Sequence, residues 1–289
     1  MSQATSQARP EIFNATLQPV DEIRHAPLSL MQRIYSIGAF RKSVILLLLA
    51  VAWEIYARAL DNPLVFPTFT ATIAALADGL VTGELPRAAA ATLWLLVKGY
   101  ALGLGLAALL TAFASVSRLG ADFLQTLTAM FNPLPSIAML PLAMVWFGLG
   151  DASVIFVLVH AVLWAVALNT FGGFLSVSPT LRLVGQSYGL TGLRYIVSIL
   201  IPGAFASILT GLKVGWAFAW RTLIAAELVF GVSSGSGGLG WYLFEKKNQL
   251  LITEVFSGLL TIIVFGLLIE NLVFRTVEDR TVRRWGMQN

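Results

Sequence analysis

The sequence predicts an all-α polytopic membrane protein with six transmembrane helices, and three observations lead there. Apolar residue types make up 57% of the 289 residues and charged types 12%, against about 25% charged in an ordinary soluble domain; mean hydropathy is +0.80. Apolar runs recur at about 43–60, 90–115, 121–147, 152–174, 203–231 and 254–274, each near or above the roughly 20 residues that cross a bilayer as a helix. None of these runs alternates polar with apolar residues, which excludes a closed barrel, and lipid offers no water to unpaired backbone groups, so the runs are helical. This composition excludes a disordered chain, a nucleic-acid module and a soluble enzyme, whose surface would be one continuous apolar patch. The pI near 9.6 reads as anchoring charge on the cytoplasmic side. Cysteine is absent and histidine occurs twice, so disulfides, thiolate catalysis and a zinc site are not expected.

Residues 1–42 are polar enough to form a cytoplasmic tail, with Arg9, Arg24, Arg33, Arg41 and Lys42. The first apolar run starts late and lacks a small-residue cleavage site, so no signal peptide is expected. With the N-terminus inside, six crossings place Arg118, Arg182, Arg194, Arg275, Arg280, Arg283 and Arg284 on the same side as the tail. Arg58, Arg87, Lys246 and Lys247 fall outside, and Lys98, Lys213 and Arg221 lie within runs. That bias supports both termini in the cytoplasm. The resulting domains are the tail 1–42, a transmembrane domain 43–274 with a cytoplasmic loop at about 175–202, and a C-terminal tail 275–289.

Between the first two runs, Pro63 and Pro67 break the chain. Thr68 or Thr70 then caps a short surface helix whose apolar spacing runs from Ala71 to Leu80. In the second run Gly99, Gly103 and Gly105 suit close helix packing. The third run contains Pro133, Pro135 and Pro141. Proline frees backbone carbonyls, which in a membrane must face protein or a water-lined cavity. The segment around Asn132, Ser136 and Met139 is therefore either a packing kink or a broken helix lining a pathway. His160 in the fourth run reads first as a packed or hydrogen-bonded residue.

In the loop, Ser178 before Pro179 starts a helix, Leu181, Val184 and Tyr188 share a face, and Gly189 closes it in a left-handed conformation. Thr191 caps a second helix that leads through Pro202 into the fifth run. The product is a helix-turn-helix, either a plain amphipathic connector or a docking element for a soluble partner. In the fifth run, spacing at 100° per residue gathers Lys213, Trp216, Trp220, Arg221 and Glu227 on one broad face. Two cations and two indoles suit the path of an anion or aromatic acid, with Glu227 offsetting one cation; a structural charge cluster is the alternative. Gly235, Gly237 and Gly240 match a dinucleotide fingerprint by letter, but without a βαβ context they read as a re-entrant outer loop.

The loop residues carry a family resemblance. Gly189, Ile199, Ile201 and Pro202 hold the later positions of the cytoplasmic signature of bacterial ABC importer permeases: Glu-Ala-Ala, three residues, Gly, nine residues, Ile, one residue, Leu-Pro. Leu183, Val184 and Gly185 stand where that signature has Glu-Ala-Ala. Val184 to Thr191 resembles the variant of the nitrate/sulfonate/bicarbonate/taurine branch, and Trp146 to Gly150, Asn169 to Gly172, Gly211 to Lys213, Ala225 to Glu227 and Gly238 to Gly240 are similar to segments of the same family.

The resemblance implies a type I importer permease fold over about residues 43–285, with Arg182, Gly185, Ser187, Tyr188, Gly189, Leu190 and Pro202 coupling to an ATPase. It implies a homodimer with two cytoplasmic ATP-binding subunits and a periplasmic solute-binding protein, importing a small anion or organic acid across the bacterial inner membrane. ATP and Mg are expected in the partner subunit and no cofactor on this chain, which lacks a Gly-x-x-x-x-Gly-Lys-Ser/Thr motif. A stand-alone secondary transporter of a small anion is the rival reading. It predicts interrupted runs in both halves of the chain, whereas the strong break lies in the third run alone. An intramembrane enzyme needs a convergent nucleophile or metal set, and the sequence offers none.

Overall fold

The computed structural model describes residues 38–230 and 237–282. The tails carrying Arg9, Arg24, Arg33, Arg283 and Arg284 lie outside the described residues, as does Gly235 of the glycine-rich segment. The chain divides into two units, Met1–Ala52 and Trp53–Asn289. The described part of the first is the opening of helix α1 (Gly38–Leu60). There Ile45, Leu46, Leu47, Leu48 and Leu49 are all exposed, apolar around the whole helix, as a lipid-facing segment requires.

The second unit continues through α2 (Phe69–Val81), α3 (Glu84–Val116) and α4 (Arg118–Phe131). A 3₁₀ turn (Ser136–Met139) leads into α5 (Leu140–Phe147), followed by α6 (Asp151–Ser176) and α7 (Pro179–Ser187). Then come α8 (Gly192–Gly203), α9 (Phe205–Phe230), α10 (Leu239–Asn248) and α11 (Ile252–Arg280). Every regular element among the described residues is helical. Helices α1, α3, α6 and α11 are each long and apolar enough to cross a membrane; the α4–α5 and α8–α9 pairs bring the number to six if each bent pair is one crossing. The bends are 87° and 81°. Prolines account for the first, since Pro133 and Pro135 end the α4 ladder beyond the Asn132 N–H, which still donates to the Thr128 carbonyl.

Helix α6 is the centre, packed between α3 and α9. Glycines make the close approach: a Cβ on Gly99 would lie 2.6 Å from Leu158, and one on Gly103 2.7 Å from Val162. From the other side, Gly211 and Gly215 meet Asn169 and Val166 at 2.8 and 2.9 Å. Gly105 faces open space, so the packing expectation holds for Gly99 and Gly103 and not for Gly105. Leu96, Val157, Leu158, Val162, Ala219 and Leu223 form the core of this three-helix layer.

The outer segment is folded by its caps. The Thr68 hydroxyl accepts from the Ala71 N–H at 3.2 Å and starts α2. Glu54 on α1 accepts from the backbone N–H and the hydroxyl of Thr70, both at 3.0 Å. Trp53 donates its indole N–H to the Pro67 carbonyl at 2.8 Å and packs on Phe66, Phe69 and Phe256. The proline-rich link is thereby tied to α1.

Candidate functional site

The break between α4 and α5 opens a cavity of about 330 Å³. Asn132 to Ile137 form one wall, His160, Ala161 and Trp164 of α6 the floor, and Phe218, Arg221, Thr222 and Ala225 of α9 the other wall. The α9 residues recur at i, i+3, i+4 and i+7, and His160 and Trp164 at i and i+4, so each helix presents one stripe. His160 and Trp164 are buried, at 8% and 7% exposure. The Ser136 hydroxyl and His160 Nδ1 are 3.2 Å apart. His160 Nε2 and Trp164 Nε1 are buried without a hydrogen-bond partner among the described residues, a costly state for a polar atom. Trp164 is stacked on Phe131 with ring centroids 5.4 Å apart.

Arg221 is exposed on the rim. Its Nε donates to the Ala217 carbonyl at 3.0 Å, and its guanidinium lies 5.6 Å from the Phe218 ring centre. Among the described residues it forms no ion pair. An arginine in a spanning helix costs about 2.5–3.5 kcal/mol on insertion scales when it meets lipid, so this rim faces an aqueous path or protein. A second cavity of about 280 Å³ shares Asn132 and Pro133 with the first and continues past Thr128 to Phe171. A third, of about 330 Å³, shares Phe171 and reaches Arg182 and Tyr195. The series follows α6 from His160 to Leu175, roughly 22 Å at 1.5 Å per residue.

The fold distributes the expected polar face of the fifth run among three environments. Arg221 lines the cavity, together with Asn132 and Ser136. Lys213 instead pairs with Glu278 near the end of α11. Trp216 packs edge-on against Tyr100 and Phe274, Trp220 bridges the central core and the α3–α10 cluster, and Met139 packs on the central core. Glu227 is buried in a clamp of its own. Thr92 of α3 donates its hydroxyl to the carboxylate, at 3.0 and 2.9 Å from the two oxygens, and the Gly240 N–H donates at 2.9 Å. Thr92 accepts in turn from the Leu239 N–H at 2.8 Å. The start of α10 is thus held to α3 and α9. At its other end Lys246 pairs with Glu84 at 2.9 Å; burial works against the Lys246 charge, but the hydrogen bond and charge of Glu84 outweigh it and raise the amine above its ordinary pKa.

His160, Trp164, Phe218 and Thr222 join the cavity without having been singled out as site residues. The i, i+4 spacing of His160 and Trp164 was the available signal; the meeting of α4, α6 and α9 was not visible in the sequence.

The loop forms an elbow. The Ser178 hydroxyl accepts from the Leu181 N–H, with Pro179 as first helical residue. Gly189 has φ +67°, and the Leu190 N–H closes back on the Gly185 carbonyl at 3.0 Å. Thr191 stands at the N-cap of α8 without a side-chain cap bond. Gly185 is buried where α7 crosses α8: a Cβ there would sit 2.9 Å from both Tyr195 and Ile199. Arg182 turns inward and donates to the carbonyls of Phe174 and Val177, and the Ser187 hydroxyl donates to Leu183. What the elbow leaves outside is apolar: Leu181, Leu183, Val184 and Leu193 are exposed, and Tyr188 is 80% exposed. Beyond it, Pro202 has no N–H to continue the α ladder. The preceding residues Ile196–Leu200 widen into a π-helical turn, with the Ile201 N–H donating to the Ile196 carbonyl.

Residues 99–286 match the family of binding-protein-dependent transport system inner membrane components. The chain is similar to a Methanocaldococcus jannaschii protein named as an ABC transporter permease, at 29% identity over 81% of this chain and 87% of the relative. It is 30% identical to an aliphatic sulfonates transport permease protein of Escherichia coli, over 65% of this chain and 68% of the relative. Its identity to the taurine transport system permease protein of Escherichia coli is 32%, over 54% and 55%. The matched residues take in the cavity, the elbow and, of the clamp, Glu227, Leu239 and Gly240 but not Thr92, and the chain belongs to this family as a membrane-spanning ABC transporter permease subunit, not an enzyme.

Proposed function

We propose that this chain is the membrane-spanning subunit of an ATP-driven importer that carries a small anion or organic acid from periplasm to cytoplasm. It works as a homodimer in the bacterial inner membrane, with both termini cytoplasmic, two cytoplasmic ATP-binding subunits and a periplasmic solute-binding protein. ATP and Mg are held by the ATPase partner, and this chain binds no cofactor. The elbow is the observation that carries the reading. Its apolar tip around Tyr188 is uncovered within the chain, while its base is fixed by Gly185 and Arg182. A short rigid element tied to spanning helices at both ends is the kind of part that passes ATPase closure to a membrane bundle. Tyr188, Gly189, Ser187 and Leu190 make the contact; Gly185, Arg182 and Pro202 position it. The pathway runs by Asn132, Ser136 and Arg221, and Lys213, Met139, Trp216, Trp220 and Glu227 hold the helices around it. Solute identity is supported only by the embedded arginine and by the sulfonate and taurine named for relatives.

The test is copurification. The chain coexpressed with an ABC-type ATPase subunit of its own source is expected to elute as one complex, and Tyr188→Asp with Gly189→Asp to release the ATPase while the permease remains folded. Solute uptake by this chain alone, in vesicles containing no ATPase, would overturn the proposal.

A further inference from the structure

Resting on that reading for which side is cytoplasmic, we infer that the third cavity, between the α3–α4 turn, the end of α6 and the elbow, seats the phosphate head of an anionic phospholipid of the cytoplasmic leaflet. The cavity has a volume of about 330 Å³. Helix α3 ends at Val116, α4 begins at Arg118, and α6 runs out one residue after Leu175; all three of these residues line the cavity. Apolar helices that end together mark the edge of the hydrocarbon layer, which is the level of lipid head groups.

The lining holds two arginines and no carboxylate. Arg118 is exposed and Arg182 half-buried. Among the described residues neither forms an ion pair, and Asp122, four residues on from Arg118, forms none either. Arg182 gives its Nε and one terminal nitrogen to the Val177 and Phe174 carbonyls, which fixes the side chain and leaves the other terminal nitrogen. The two serines of the lining are occupied: Ser115 donates to the Thr111 carbonyl at 2.7 Å, and Ser117 accepts from the Gly120 N–H at 2.9 Å. Cationic donors without an acceptor select an oxyanion. The rest of the wall is mostly apolar, and Val116 and Leu175 on its rim are 60% and 61% exposed. A free inorganic anion leaves that rim wet, whereas a phospholipid covers it with its glycerol and first methylenes. A basic pocket between spanning helices at the cytoplasmic boundary is the pattern that an anionic head group meets. Its phosphate shares the arginine that fastens the elbow to α6, so the lipid braces the base of the elbow.

The experiment is native mass spectrometry of the purified permease, with and without its ATPase, titrated in detergent with phosphatidylglycerol or with phosphatidylcholine of the same acyl chains. Phosphatidylglycerol is expected to bind severalfold more tightly. Arg118→Gln should weaken it about fivefold, the loss of one cation beside a lipid head, and leave phosphatidylcholine unchanged; Arg118→Lys should retain most of the binding. Arg275→Gln, an exposed cation outside the cavity, should change nothing. Equal affinity for the two lipids, or wild-type affinity in Arg118→Gln, overturns the seat. So does displacement of the bound lipid by millimolar inorganic phosphate, which makes the cavity a free-anion site, or by taurine, which makes it part of the solute path. Assembly separates the two readings. A permease that carries its ATPase but shows no preference for phosphatidylglycerol overturns the seat alone; Arg118-dependent binding by a permease that assembles with no ATPase keeps the seat and overturns the importer.

Discussion

At Thr92 one hydroxyl does two jobs: it accepts from the Leu239 N–H and donates to Glu227. A buried carboxylate is tolerable only when its oxygens are met, and here a threonine of α3 and a glycine amide of α10 meet them. Thr92→Val keeps the shape and removes the relay, leaving the Leu239 N–H and part of Glu227 unpaired. The expected cost is about 1–3 kcal/mol, read as a lower melting temperature of the purified permease, with Thr92→Ser restoring most of it. Equal stability of the valine variant would show that the clamp holds nothing. The sequence marked Glu227 as an acid needing a partner, but offered it a cation of its own helix. Its true partners lie 135 and 13 residues away, a separation that periodicity on one helix does not register.

At the scale of the element, the elbow shows two glycines kept for different reasons. Gly189 has φ +67° and no neighbour within 4 Å of a Cβ, so its requirement is conformational. Gly185 has an ordinary helical backbone and two side chains at 2.9 Å, so its requirement is space. Gly189→Ala should therefore destabilise only the turn, by about 1–2 kcal/mol, while Gly185→Val should pry α7 from α8. Hydrogen exchange distinguishes them: faster exchange confined to residues near 188–191 in the first, and throughout α7 and the start of α8 in the second. Identical profiles would refute the distinction. The caps at Thr68 and Ser178 and the turn at Gly189 were legible because capping and left-handed turns are local. The π turn before Pro202 was not, since it depends on how the helix absorbs a missing donor while staying packed through Ile196 and Leu200.

At the scale of the whole molecule, composition sufficed for the membrane and for the number of apolar runs, because those depend on length and hydropathy alone. It did not give the angles of 87° and 81°, the first of which turns the third run from a rod into a corner and the second of which sets the loop helix α8 across the start of the fifth run. The orientation lends itself to a direct measurement, because the chain contains no cysteine. Single cysteines at Ser187 and Asp78, both exposed, are expected to react oppositely with a membrane-impermeant maleimide. Asp78→Cys should label from outside intact spheroplasts, and Ser187→Cys only in inverted vesicles. The reverse pattern would invert the proposed direction of coupling.

The glycine seam on either side of α6 has a consequence for how damage to this protein will look to a geneticist. Leu158, Val162 and Val166 are seated against bare backbone on two neighbours, so there is no slack for a larger residue, and a lesion in the seam removes the protein from the membrane altogether. The rim around Arg221 bears no such load. Alleles that abolish uptake will therefore sort by abundance, with empty membranes tracing the seam and full but idle ones tracing the route of the cargo.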